Sequence, residues 1–201
     1  RPDRGKVLSA EELEEMEKFW RYDDVDGDGI CARSLPGVHP KGSYFVRGSG
    51  HNHMGKYTES SEAYVEIMHR IDKKFRTAED LVPQPVIKGS GRAAIGIISV
   101  GSCDGAVCEA LDVFEEEGVK LDYLRVRAFP FTQSLRDFLE THERIFVVEQ
   151  NRDGQLLKLI NNECDVDTSK LESIPLFDGL PVAAEDIVSN LRSKMAQGAA
   201  A

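Results

Sequence analysis

The chain has 201 residues and a formal charge of −10, from 25 basic and 35 acidic groups. With 41% hydrophobic and 30% charged residues it has the material for a core, which excludes wholesale disorder. No apolar run approaches the ~20 residues of a membrane span, and the acidic balance argues against nucleic acid as a partner.

Four scattered cysteines (Cys31, Cys103, Cys108, Cys164) do not make a secreted disulfide framework. With no signal peptide in view, a cytoplasmic location is expected. The start at Arg1-Pro2, without methionine, suggests a fragment, a processed product or an expression product. Charge is uneven: residues 1–90 hold 14 basic and 16 acidic groups, and residues 91–201 hold 11 and 19.

Ser9 and Glu12 form a capping box, and Leu13, Met16 and Trp20 follow at helical spacing. Next comes a glycine-dense stretch, seven glycines from Gly27 to Gly55, which must be a long shaped loop. It opens with Asp24, Asp26 and Asp28 before Gly29, the first half of a calcium loop. Position 12 of that motif is Leu35, and Pro36 bars an exiting helix, so an acidic turn is expected and no metal is assigned.

Arg33 has the planar fork that clamps a carboxylate or phosphate, or it makes a surface ion pair. His51-Asn52-His53, flanked by Gly48, Gly50 and Gly55, suits a mobile loop bringing polar donors to a ligand; as metal ligands the alternating histidines lack a third partner. A helix over residues 61–76 then places Tyr64, Ile67, Met68, Ile71 and Phe75 on one face. Pro83 and Pro85 break the pattern and mark a boundary between domains at 1–82 and 90–201.

Beyond residue 90 short apolar runs alternate with helical periodicity. Strands are expected over 95–101, 121–126 and 145–148, and helices over 105–117, 135–141, 154–160 and 184–194. That alternation predicts an α/β fold, a parallel sheet with helices on both faces.

Ser102, Asp104 and Gly105 lie between a strand end and a helix start, a position receptive to anions; the alternative is a tight turn in which Asp104 caps the helix. Cys103 beside them could have a lowered pKa, or be a small buried residue. Glu149, Asn151 and Gln155 end another strand, where open sheets bind ligands or where a subunit interface could form.

Together these segments carry a resemblance. Asp3-Arg-Gly-Lys-Val-Leu8, Arg21-Tyr22, Asp28-Gly-Ile30, Arg33-Ser-Leu-Pro-Gly37, the Gly48-to-Gly55 histidine loop with Tyr57-Thr-Glu59, Val100-Gly-Ser-Cys-Asp-Gly105 and Val148-Glu-Gln-Asn-Arg-Asp-Gly-Gln155 resemble the carboxyl-terminal part of the alpha subunit of 2-oxoacid:ferredoxin oxidoreductases, the 2-oxoglutarate branch above all. The resemblance implies the end of a pyrimidine-type thiamine domain over 1–82 and a transketolase carboxyl-terminal-like domain over 90–201.

It also implies an enzyme that turns a 2-oxoacid into an acyl-CoA on thiamine diphosphate, magnesium and [4Fe–4S] clusters, with none of these held by this chain alone. The implied partners are a beta subunit, the rest of the alpha (or gamma) chain, ferredoxin, coenzyme A and the 2-oxoacid. No catalytic residue is assigned here, and the isolated chain is expected to be inactive. Arg33, His51, Asn52 and His53 become candidates for lying near the substrate. The alternative is a non-catalytic α/β interaction or ligand-binding module that keeps the fold.

Overall fold

The computed structural model describes residues 3–46, 48–165 and 167–198. The Arg1-Pro2 start and the end of the alanine tail (199–201) lie outside the described residues. The chain divides into two compact units, Arg1–Leu81 and Val82–Ala201.

In the first unit, helix α1 (Ala10–Glu15) starts on the expected capping box: Glu12 N donates to Ser9 Oγ at 3.2 Å, and Ser9 N to Glu12 Oε2 at 2.7 Å. It stops earlier than its periodicity predicts, with Met16 already extended, so Met16 and Trp20 are not on it. The physical reason is charge. Glu14, Glu15 and Glu17 crowd the negative end of the helix dipole, where Lys41 donates to the carbonyls of Glu14 (2.5 Å) and Met16 (3.2 Å).

Helix α2 (Ser61–Leu81) runs one turn past the predicted span and has no buried residue. The apolar face is there, but Tyr64, Met68 and Phe75 remain exposed on it. The glycine-rich loop packs on this helix. Gly29, at φ +82°, lies so close that a Cβ would sit 2.4 Å from Lys74 N and 2.8 Å from Arg70 O, so only glycine fits. Arg70 Nη1 donates to Gly29 O (2.9 Å) and Thr77 Oγ1 to Asp28 O (2.6 Å).

The second unit is a five-stranded sheet with strand order β1-β3-β2-β4-β5: β1 Val86–Lys88, β2 Ile95–Val100, β3 Asp122–Val126, β4 Arg144–Glu149 and β5 Leu171–Pro175. Strands β2, β3 and β4 are parallel, as expected; two edge strands not expected from the sequence complete the sheet, β5 parallel to β4 and β1 antiparallel to β3, so the sheet is mixed. Pro83 and Pro85 broke the pattern before β1. An edge strand tolerates such neighbours because only one of its sides needs donors.

Side chains alternate across the sheet. Ile97, Tyr123, Phe146 and Ile174 pack under α3 (Asp104–Glu116) and α6 (Ala184–Gly198). Ile98, Leu124, Ile145 and Val147 pack under α4 (Gln133–Thr141) and α5 (Gln155–Glu163). Each fully buried chain of this size contributes roughly 1.5–3 kcal/mol, which makes these two layers the dominant stabilising element of the unit. At Gly96 α4 packs tightly on the sheet: a Cβ there would be 2.7 Å from the Phe138 ring.

The buried Asp122 carboxylate ties the loop before β2 to β3, accepting from Ala93 N (2.9 Å) and facing His142 Nε2 (3.2 Å). Burial alone would raise its pKa; the hydrogen bonds from Ala93 and His142 outweigh this and hold it below the usual carboxylate value.

Candidate functional site

The acidic loop of the first unit brings carboxylate oxygens of Asp24, Asp26 and Asp28 within 4.8 Å of one another. A cation already sits there. Lys6 Nζ donates to Asp26 Oδ1 and Oδ2 and to Asp28 Oδ1, all at 2.7 Å, while Asp24 Oδ1 accepts from Gly29 N and Asp28 Oδ1 also from Ile30 N. The Lys6 hydrogen bond is the main reason the Asp28 carboxyl lies below its ordinary value. A magnesium or calcium ion does not fit this loop while the ammonium occupies it.

Arg33 is held by backbone on both sides: Arg33 N donates to Lys6 O and Leu8 N to Arg33 O, both at 2.9 Å. Its guanidinium makes no ion pair among the described residues; Nη2 donates to Arg4 O at 2.6 Å. It lines a cavity of about 320 Å³ with Arg4, Lys6, Arg21, Arg70, Lys74 and Tyr22. The sequence reading missed these neighbours. The signal that could have found them is Arg70 and Lys74, four apart on one helix face with like charge.

The histidine loop is bonded to itself. Asn52 Oδ1 accepts from the amides of Met54 and Lys56 (both 3.1 Å), so this oxygen shapes the turn. Tyr22 N donates to His53 O at 3.0 Å, and the His53 ring meets Trp20 edge-on at 6.5 Å. The His51 ring lies against Tyr22 at 4.2 Å, its Nδ1 3.1 Å from Ser49 O, while its buried Nε2 has no partner among the described residues. Tyr22 thus touches the His51 ring and shares the cavity lining with Arg33.

In the second unit the loops after β2 and β4 meet where the connections leave the sheet in opposite directions, the usual ligand position of open α/β sheets. Ser102 Oγ donates to Gln150 Oε1 across that crevice at 2.7 Å. Asp104 does not cap its helix: a 3-10 turn over Gly101–Cys103 precedes it. Its carboxylate instead accepts from Tyr123 OH and Arg125 Nη1, both at 3.0 Å, a network that includes Ser99 and that the sequence did not reveal. Burial, with the Asp104 carboxylate, pushes the Tyr123 phenol well above its usual range. A Cβ added at Gly105 would meet open space.

The Glu149–Gln155 segment is spent on its own turn. Glu149, 1% exposed, accepts from the first free amides of α5, Leu156 N (2.8 Å) and Leu157 N (3.3 Å), and from Asn151 Nδ2. Asn151 Oδ1 accepts from Asp153 N and Gln155 N. Of the three candidates only the Gln155 side chain is outside this network.

Cys103 is buried and burial raises its thiol pKa, so of the two readings the small buried residue holds and the lowered pKa does not. Among the described residues the three acidic-loop aspartates are the only grouping with metal-ligand spacing, so the four cysteines do not fit an iron–sulfur cluster.

No family model matches the chain. Relatives do. 2-Oxoacid:ferredoxin oxidoreductase 2, subunit alpha, of Aeropyrum pernix is 28% identical over 200 residues, 97% of this chain and 30% of that protein. The alpha subunit from Saccharolobus solfataricus is 25% identical over 205 residues, 98% of this chain and 31% of its own length. The chain is a relative of 2-oxoacid:ferredoxin oxidoreductase alpha subunits.

The solved 2-oxoglutarate:ferredoxin oxidoreductase of Magnetococcus marinus, with 2-oxoglutarate, coenzyme A and succinyl-CoA bound, shares the fold at a TM-score of 0.77 and 27% identity, over 90% of this chain and 31% of that one. The sequence resemblance and the α/β fold class therefore hold. The chain spans about a third of the length of the relatives it matches. None of its described helices is long and apolar enough to cross a membrane.

Proposed function

We propose that the chain is a segment of the alpha subunit of a 2-oxoacid:ferredoxin oxidoreductase that converts a 2-oxoacid such as 2-oxoglutarate into an acyl-CoA, or runs the reverse, carboxylating reaction. The observation that carries this reading is the end-to-end match: nine tenths of the chain superposes on an enzyme solved with 2-oxoglutarate and coenzyme A. In the complete enzyme thiamine diphosphate with magnesium supplies the electron sink for decarboxylation, and iron–sulfur clusters carry electrons to ferredoxin. Within this proposal the iron–sulfur clusters are held elsewhere in the assembly, since the four free cysteines form no ligand grouping among the described residues.

Within that reading the chain's part is architectural and substrate-facing. The uncovered apolar face of α2 suits docking against the rest of the alpha chain or a beta subunit. Arg33 and the loop holding His51, Asn52 and His53 are the groups proposed to face the anionic substrates, with Asn52 acting through loop shape. Ser102 and Gln150 close the switch-point crevice of the second unit, leaving Gln155 for contact with another subunit.

The test is purification of the complete polypeptide carrying this sequence with whatever assembles on it, assayed for viologen dye reduction. Reduction that depends on both a 2-oxoacid and coenzyme A is expected. A pure assembly that reduces dye with no 2-oxoacid offered to it refutes the proposal.

A further inference from the structure

We infer that the cationic cavity of the first unit is a binding site for a multiply charged phosphate group. Six cations line it, Arg4, Lys6, Arg21, Arg33, Arg70 and Lys74, and no carboxylate does. Lys6 is balanced by Asp26 and Asp28. Among the described residues the other five make no ion pair. Such a cluster runs against a chain whose net charge is −10, and like charges gathered without counter-charge are costly unless a ligand supplies it.

The forks are aimed. Each of the three central guanidiniums spends one of its five N–H donors on a backbone carbonyl: Arg21 on Ala32 O (3.4 Å), Arg33 on Arg4 O (2.6 Å) and Arg70 on Gly29 O (2.9 Å). The Arg21 and Arg70 guanidiniums also lie over the Tyr22 ring, at 5.1 and 6.0 Å. Arg70 Nε is buried with no partner. These contacts fix the planes and leave most donors open, the preorganisation an oxyanion site requires.

Charge and geometry select the ligand class. A 2-oxodicarboxylate brings two charges on planar groups, each satisfied by one fork. Five unbalanced cations exceed that. A diphosphate, or a phosphate-bearing coenzyme end, spreads three or four charges over tetrahedral oxygens that accept from several directions at once. A cavity of about 320 Å³ is at the lower end of the range for small-ligand sites, which suits the charged end of a ligand more than a whole coenzyme. This inference rests on the reading of Arg33 as ligand-facing and is independent of the reaction catalysed.

The experiment is calorimetry on the 201-residue chain at fixed ionic strength, titrating inorganic diphosphate, ADP and 2-oxoglutarate in turn. Diphosphate or ADP is expected to bind at least about 10-fold tighter than 2-oxoglutarate, and more weakly as salt rises. Arg33→Gln and Lys74→Gln, with unchanged circular dichroism, should each weaken phosphate binding about 10-fold. ADP binding tighter than diphosphate identifies a nucleotide-bearing source, and equal affinities identify the free anion; both support the site. Absence of saturable phosphate binding up to about 10 mM, tighter 2-oxoglutarate binding, or variants that bind like the parent would overturn it. Each of those failures leaves the dye-reduction test of the oxidoreductase reading untouched.

Discussion

Replacing Glu149 by alanine separates an architectural role for the Glu149–Gln155 segment from a ligand-contact one. The carboxylate is 1% exposed and accepts from Leu156 N, Leu157 N and Asn151 Nδ2. Alanine leaves two helix-start amides in a dry environment, each costing about 1–3 kcal/mol, and removes a negative charge from a helix N-terminus, worth a further ~0.3–1 kcal/mol. A total near 3 kcal/mol is expected, since the shorter side chain lets some water in. In urea that is a midpoint lowered by roughly 1–2 M. Amide exchange at Leu156 and Leu157 should accelerate on the order of 100-fold while the first unit's amides keep their protection. Glu149→Gln, which retains one acceptor, should lose about half as much. A loss under about 0.5 kcal/mol for the alanine variant, with impaired assembly or activity, would refute the architectural role and return Glu149 to the list of contact residues.

Other expectations follow from the same geometry. Calcium should bind the chain no tighter than about millimolar by calorimetry, and Lys6→Met should tighten it at least 10-fold, because the substitution removes the ammonium from between the carboxylates. Asp122 has a folded pKa below its ordinary value, so its stabilisation is complete above about pH 4 and is lost as pH falls through the folded value; urea midpoints at pH 7 and pH 3 should differ more for the parent than for Asp122→Asn. Gly96→Ala places a methyl 2.7 Å from the Phe138 ring and should cost about 1–3 kcal/mol by thermal unfolding, relieved in part by Phe138→Leu.

How much was legible in the residues depended on the kind of signal. The central strands announced themselves because Ile97, Ile98, Val147 and Val148 are buried on both faces, a pattern no loop tolerates. The edge strands did not. β5 has only Leu171 and Ile174 buried and ends on Pro175, while β1 is three residues long with prolines before it. Edge strands carry half the burial and so half the pattern. The capping box of α1 was readable, but its early stop was not, because that stop is set by Lys41, some 25 residues away in sequence.

Site residues followed the same division. Arg33 stood out as a lone guanidinium in a proline–glycine turn, whereas its companions Arg21, Arg70 and Lys74 look like ordinary surface charges until the chain folds. Glu149 and Asn151 drew notice as polar groups at a strand end; what they bind is the backbone of the next helix, a partner that carries no residue-type signature at all.

The calcium-like motif and the cationic cavity are one electrostatic construction. Lys6 belongs to both: it neutralises Asp26 and Asp28 and stands on the cavity wall. The same loop turns its carbonyls the other way, Gly29 O toward Arg70 and Asp28 O toward Thr77, which fixes helix α2 and with it the neighbouring Lys74. A loop able to wrap a divalent metal is here folded around an ammonium. The aspartates' electrostatic effect is local: they hold one lysine while the carbonyls of their own backbone orient an arginine. Gly29 makes this possible, since any side chain there would collide with the α2 backbone and push the loop off the helix. The acidic residues that suggested a cation site in the sequence thus help to build a site for an anion.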